Sequence, residues 1–216
     1  SIMNRGETRT LMALVDMPLA HGGAALYNVS NALGAIGLGL TIGLDDEAMI
    51  GALTTFGRDW EDNPGRGQCL DFEGVKVCLD FGHNPHGVAA VLQMVTGLRG
   101  DTGRLSVCVC QAGDRSETDI AEMCDAIAAA QPDVVRLRAL PEVYQRGRTP
   151  AEMQRIFRSR LLALGVEPKR ILDSGEAAEA LDDALDWARP GDVVLHLVHV
   201  ERASVEARLR SRGALV

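Results

Sequence analysis

The chain has 216 residues, of which 46% are hydrophobic, 24% charged and 4% aromatic, with 23 glycines. That balance fits one close-packed globular domain or slightly more, and excludes disorder, collagen and coiled coil. The formal net charge of −8 excludes the basic footprint of a general nucleic-acid binder, so no nucleic-acid partner is expected.

The longest uncharged stretch, Met17 to Leu44, has its densest apolar part in Ala32–Leu44. That part is shorter than the roughly 20 residues a membrane helix needs, so a buried helix and no membrane partner are expected. No basic-then-apolar opening marks a signal peptide, and the expected location is cytoplasmic. Cysteines stand at 69, 78, 108, 110 and 124, without zinc spacing, which favours reduced thiols. Cys69 and Cys78 face each other if Glu73-Gly74 is a two-residue hairpin turn. A disulfide there is the minor alternative to two half-buried thiols.

Residues 10–20 read as a short strand or two ending at Pro18, and Asn28–Gly43 as a helix. Asp45-Asp46-Glu47 opens a second helix to Phe56, acids being favoured at a helix N-terminus. Glu61–Gly67 is a polar linker. Gln68–Phe72 and Val75–Asp80 form a hairpin. Asn84–Leu98 is a helix with Pro85 in its first turn, followed by strand Leu105–Cys110, helix Thr118–Ala130 and strand Val134–Leu137. Thr149-Pro150-Ala151-Glu152 is a capping box opening a helix to Leu164. Strand Arg170–Leu172, a helix from Ser174 to Ala188, strand Val193–Val198 and helix Ala203–Arg210 complete the chain. Alternating strands and helices predict an α/β fold: a Rossmann-like, mostly parallel sheet with helices on both faces and an N-terminal β-hairpin. Residues 63–216 form that domain; residues 1–60 are a small α-rich piece of something else.

Ligands of such sheets bind beyond the carboxyl ends of the strands. There, Asp80-Phe81-Gly82-His83-Asn84 follows an apolar strand. Asp80 can accept from ribose hydroxyls, and His83 and Asn84 can reach a base or phosphate at a helix start; alternatively Asn84 caps the helix and Asp80 bonds loop amides. Arg115, after Gly113-Asp114, is a cation suited to phosphate or carboxylate, or a partner in a local turn. Arg146-Gly147-Arg148 can hold a carboxylate or form a solvated pair. Arg66 sits at the domain junction. Asn28 and Asn31 share a helix face, for adenine or for neighbouring loops. Gly37-x-Gly39-x-x-x-Gly43 lacks the dinucleotide fingerprint, and His196 with His199, on opposite faces of a strand, makes a poor metal pair. No metal ligands and no catalytic side chain are assigned, and no G-x-x-x-x-G-K-[ST] occurs in these residues.

Tyr27-Asn28-Val29-Ser30-Asn31-Ala32-Leu33, Asn63-Pro64-Gly65-Arg66, Asp80-Phe81-Gly82-His83-Asn84-Pro85, Gly113-Asp114-Arg115 and Arg146-Gly147-Arg148, in this order, resemble the Mur ligase superfamily. The likeness is strongest to the Mur-ligase half of cyanophycin synthetases, and the His-Asn-Pro-His-Gly stretch also resembles folylpolyglutamate synthetases. The resemblance implies ligation of an amine to a carboxylate with ATP, through an acyl-phosphate. It implies that residues 1–60 end a central ATPase domain and that residues 63–216 are the C-terminal domain that closes over the nucleotide. Asn28 and Asn31 then face adenine, Arg66 the ATP phosphates, and Asp80 the ribose, with His83 and Asn84 beside the nucleotide. Arg115 and Arg148 face the incoming amino acid, expected to be acidic. ATP is the cofactor, with Mg2+ supplied by the absent central domain; the absent N-terminal and central domains are partners. Phe81-Gly82 departs from the commoner Tyr-Ala and Tyr27 from His, and a chain without the P-loop is expected to be inactive alone. A non-catalytic module binding a nucleotide, an amino acid or a protein is the alternative; a Rossmann oxidoreductase is disfavoured.

Overall fold

The computed structural model describes residues 2–4 and 7–214 and divides into two compact units, Ser1–Pro64 and Gly65–Val216.

In the first unit β1 (Ile2–Asn4) pairs antiparallel with β2 (Glu7–Arg9). The strand expected within residues 10–20 is absent. Leu14–Asp16 and Pro18–Gly23 are instead 3-10 turns, the second kinked where His21 and Gly22 take positive φ of 47° and 68°. Pro18 lacks the N–H a ladder needs and fixes the φ that suits a helical first turn. Helix α1 (Leu26–Thr41) and helix α2 (Asp46–Thr55) follow. Asp45 caps α2, its carboxylate accepting from the Ala48 amide at 2.8 Å. No helix among the described residues is long and apolar enough to cross a membrane.

The second unit holds a six-stranded sheet: β3 (Arg66–Phe72), β4 (Val75–Asp80), β5 (Leu105–Val109), β6 (Val134–Arg138), β7 (Ile171–Ser174) and β8 (Val193–Leu197). Their spatial order is β3-β4-β8-β5-β6-β7, parallel except for the antiparallel β3–β4 hairpin. Strands β5, β6 and β8 are buried along their whole length, as strands covered on both faces must be. Helices α3 (Pro85–Leu98), α4 (Glu117–Ala129) and α5 (Pro150–Ala163) pack side by side, while α6 (Ala177–Trp187) packs on α7 (Arg202–Ser211). Right-handed crossovers put these two groups on opposite faces. The expected architecture is therefore present.

Two local readings are corrected. Ser174 ends β7 and does not cap α6, whose N-cap is Glu176 with no side-chain cap bond. Cys69 and Cys78 form a disulfide, the minor of the two alternatives their opposed positions allow, in place of two half-buried thiols. Glu73 (φ 53°) and Gly74 (φ 81°) make the twisted two-residue turn that places the cysteines directly opposite one another in register.

Candidate functional site

The chain leaves β4 and β5 toward helices α3 and α4, but leaves β8 toward α7 on the other face. This divergence opens a crevice at the carboxyl ends of the strands, where such sheets bind ligands. A cleft of about 140 Å³ lies there, lined by Phe81, His83, Gln111, Arg115, Arg146 and His199, with Leu140 among its apolar walls. A larger hollow of about 590 Å³, flanked by Arg99 and Arg170, lies at the opposite edge of the sheet; its rim comes from the loops entering the strands, so we place the site at the smaller cleft.

Arg66 and Asp80 face each other at the open end of the hairpin, where a bulge shifts the register at Gly67. The guanidinium of Arg66 lies 4.6 Å from the Phe81 ring centroid. The same ring meets His83 at 4.9 Å and, edge-on, His199 at 5.4 Å. Arg66, Asp80 and His83 thus gather along one edge, with Phe81 as their hub. Asp80 is buried, and Oδ1 accepts from the Gly82 amide at 2.7 Å. Burial pushes its carboxyl up to about 6, while the Gly82 and Gly67 amides and the Arg66 charge pull it down. Asn84 caps α3, its Oδ1 accepting from the Gly87 amide at 2.8 Å.

Arg115 reaches the cleft with its Nε buried and without a hydrogen-bond partner. Arg148 does not line the cleft. It donates to the carbonyls of Gly113 (3.3 Å) and Arg115 (2.9 Å) and pairs with Glu117 at 3.5 Å. Arg146 of the same loop is the one that faces the cleft, loosely paired with Asp114 at 3.6 Å. In the first unit, the buried Asn28 donates to the Leu19 carbonyl at 3.0 Å, and the exposed Asn31 contacts Asn28 Oδ1 at 3.5 Å.

The floor of the cleft escaped the sequence reading. Strand β8 ends at Leu197, so His199 belongs to the following loop and is no strand partner of His196. Its Nε2 lies 3.3 Å from the Gly82 carbonyl and its Nδ1 3.5 Å from Cys110 Sγ. A carbonyl only accepts, so Nε2 carries the proton and Nδ1 receives the thiol hydrogen. Burial and the Arg138 charge push His199 down to about 4, and burial pushes the Cys110 thiol up to about 12; both groups stay neutral. Gln111 Nε2 also donates to the Gly82 carbonyl, at 3.4 Å. Beneath them Arg138, fully buried, pairs with Glu201 at 2.7 Å and donates to the Leu197 carbonyl at 2.6 Å. For Arg138 and Glu201 the sequence signal was a charge near the end of an apolar strand; Cys110, Gln111 and His199 carried no such signal. Among the described residues no group of three or more His, Cys, Asp or Glu side chains stands together to hold a metal ion.

Residues 65–197 match the family described as Mur ligase, glutamate ligase domain. The chain is 30% identical over 205 residues to a cyanophycin synthetase of Crocosphaera subtropica, covering 94% of this chain and 23% of that protein. Identity to a UDP-N-acetylmuramoyl-L-alanyl-D-glutamate–2,6-diaminopimelate ligase of Corynebacterium glutamicum is also 30%, over 175 residues, 78% of this chain and 31% of that one. The structure of E. coli FolC in complex with DHPP and ADP is similar with a TM-score of 0.65 at 22% identity, covering 85% of this chain and 39% of that chain; this is a likeness of fold. The chain thus spans under a third of the length of the two curated relatives.

Proposed function

This chain belongs to the Mur ligase family, and from that membership we propose that it is the C-terminal portion of an ATP-dependent ligase joining an amino acid to a carboxylate. The observation that carries the reading is the gathering of Arg66, Asp80 and His83 around Phe81, beside a cleft that two arginines line.

The residues at this edge suit a nucleotide. Asp80 is the acceptor for ribose hydroxyls, and Arg66 is a fixed cation on an exposed strand end, able to neutralise phosphate charge when the domain closes. His83 and Asn84 flank the nucleotide, and Asn28 and Asn31 of the first unit are assigned to adenine. ATP, when bound, supplies the phosphoryl group that activates the carboxylate; its Mg2+ and P-loop are assigned to a preceding central domain. The incoming amino acid occupies the cleft. With Arg115 and Arg146 on its lining and no acid among the lining residues, an acidic amino acid is the fitting substrate class, and Arg148 serves by fixing the loops that carry both arginines.

In this reading residues 1–60 are the last piece of the central ATPase domain. Leu33, Leu38 and Ile42 of α1 and its C-terminal end are exposed, Leu38 at 72% and Ile42 at 78%, the kind of apolar surface that a larger domain would cover.

The test is ATP-dependent phosphate release by the full-length ligase across a panel of amino acids. Turnover with acidic amino acids is expected, and Arg66→Ala should lower it by roughly 100-fold, as loss of a transition-state charge contact does. Turnover with none of the panel would leave a non-catalytic binding module as the reading. Unchanged turnover in the variant would make Arg66 structural.

A further inference from the structure

We infer that the Cys69–Cys78 disulfide is a thiol–disulfide exchange site for a dithiol reductant, and that its redox state sets how firmly the Arg66–Asp80 corner is held. The bond joins directly opposed residues of β3 and β4. Strand β3 is an edge strand with β4 as its one hydrogen-bonded neighbour. Cys69 on that edge is half-buried, whereas Cys78 on the interior strand is sealed from solvent. An attacking thiolate therefore reaches Cys69 Sγ first.

The remaining cysteines, 108, 110 and 124, are all buried, and burial keeps their thiols protonated. They neither attack the bond nor compete for the reductant. The exchange balances as follows. The thiolate bonds to Cys69 Sγ as the Cys69–Cys78 bond breaks, and Cys78 leaves as a thiolate and takes a proton. The reductant's second thiol, deprotonated, then attacks its own sulfur in the mixed disulfide, and Cys69 leaves and is protonated. Two electrons and two protons pass from dithiol to protein.

The consequence lies a few residues along the hairpin. Beyond the cysteines the pairing passes through the bulge at Gly67, whose amide bonds the Asp80 carboxylate, and ends at Arg66 opposite Asp80. The disulfide is the covalent tie that keeps this irregular end of an edge strand in register. Reduction removes that covalent tie and leaves this end to non-covalent contacts, the Gly67–Asp80 bond and the Arg66–Phe81 contact among them, and strand ends held in this way open more readily than the sheet centre.

The experiment uses the 216-residue chain, oxidised with glutathione disulfide and alkylated under denaturing conditions. Mass spectrometry should find three of its five cysteines alkylated, and all five once the native oxidised protein has been treated with dithiothreitol. Reduction should speed amide exchange at Gly67 by about tenfold and leave Val107 in the sheet centre unchanged. The Cys69→Ser/Cys78→Ser double variant should match the reduced protein. Five alkylated cysteines after oxidation, a bond that dithiothreitol cannot reduce in the native state, or equal Gly67 exchange in both redox states would overturn the inference. None of these readouts involves ATP.

Discussion

Arg138 and Glu201 face each other across 2.7 Å beneath the cleft, the arginine wholly and the glutamate almost wholly out of solvent. The Arg138 charge and hydrogen bond hold the Glu201 carboxyl below the ordinary carboxylate range although burial works the other way. Removing one partner strands a buried charge, which typically costs about 3–5 kcal/mol. Arg138→Met alone should therefore lower the unfolding free energy by that amount. Arg138→Met combined with Glu201→Leu should recover most of it, and a urea-unfolding double-mutant cycle reads the difference. Additive losses would show that the pair is not coupled.

Asp80 gives stability a pH slope of unusual sign for a carboxylate. Its folded-state value of about 6 lies above the ordinary 3.8, so between these values the folded protein holds more protons than the unfolded chain. Its contribution falls as pH rises through that window, and the penalty is complete above pH 6. Asp80→Asn abolishes this titration. The stability of the variant minus that of the wild type should grow from pH 4 to 6 by up to about 3 kcal/mol and level off above. Urea midpoints measured at four pH values suffice; a flat difference contradicts it.

His199 slopes the opposite way. Held at about 4 against the ordinary 6.5, it contributes stability that is fully present above pH 6.5 and is lost as pH falls toward 4. His199→Gln, which can still donate to the Gly82 carbonyl, should remove this component. The variant should then gain on the wild type as the solution is acidified, and an NMR titration of the ring should show no protonation above pH 5.

Gly113 lies against the arginine loop. A Cβ built there would stand 2.2 Å from the Arg148 carbonyl oxygen and 2.6 Å from that of Arg146, both backbone atoms that cannot rotate away. Gly113→Ala should destabilise the fold by about 1–3 kcal/mol and displace the Arg146–Arg148 loop. If the chain is part of the ligase proposed above, the same change in the whole protein should raise KM for the amino acid more than KM for ATP. Equal effects on both substrates would separate this loop from the proposed amino-acid site.

The second unit was legible because its signals are local and redundant. Val75–Asp80 is bounded as read, since a turn and a helix cap enclose it, and the box at Thr149 and Glu152 forms as written. Asp80 and His83 stood out because they follow the apolar strand Val75–Asp80, and Arg66 because it lies at the domain junction; the structure brings these three around Phe81. Arg138 and His199 did not stand out: the first is an arginine sealed inside a sheet, against its ordinary preference, and the second depends on β8 stopping two residues before it. Cys69 and Cys78 show a different failure. Hairpin arithmetic placed them opposite each other, and the general expectation of reduced thiols outweighed it. In the first unit, residues 10–20 are apolar enough for a strand, but Pro18 and the left-handed His21 and Gly22 leave no ladder to join.

The Gly82 carbonyl has its own consequence for anyone who would redesign this cleft. One oxygen receives both Gln111 from the segment after β5 and His199 from the segment after β8, so three stretches of chain are knotted at a single acceptor. Grafting a foreign rim one stretch at a time would untie the other two. The rim is best exchanged as a block of all three, or altered at Arg146, a solvent-exposed cleft residue that the knot does not include.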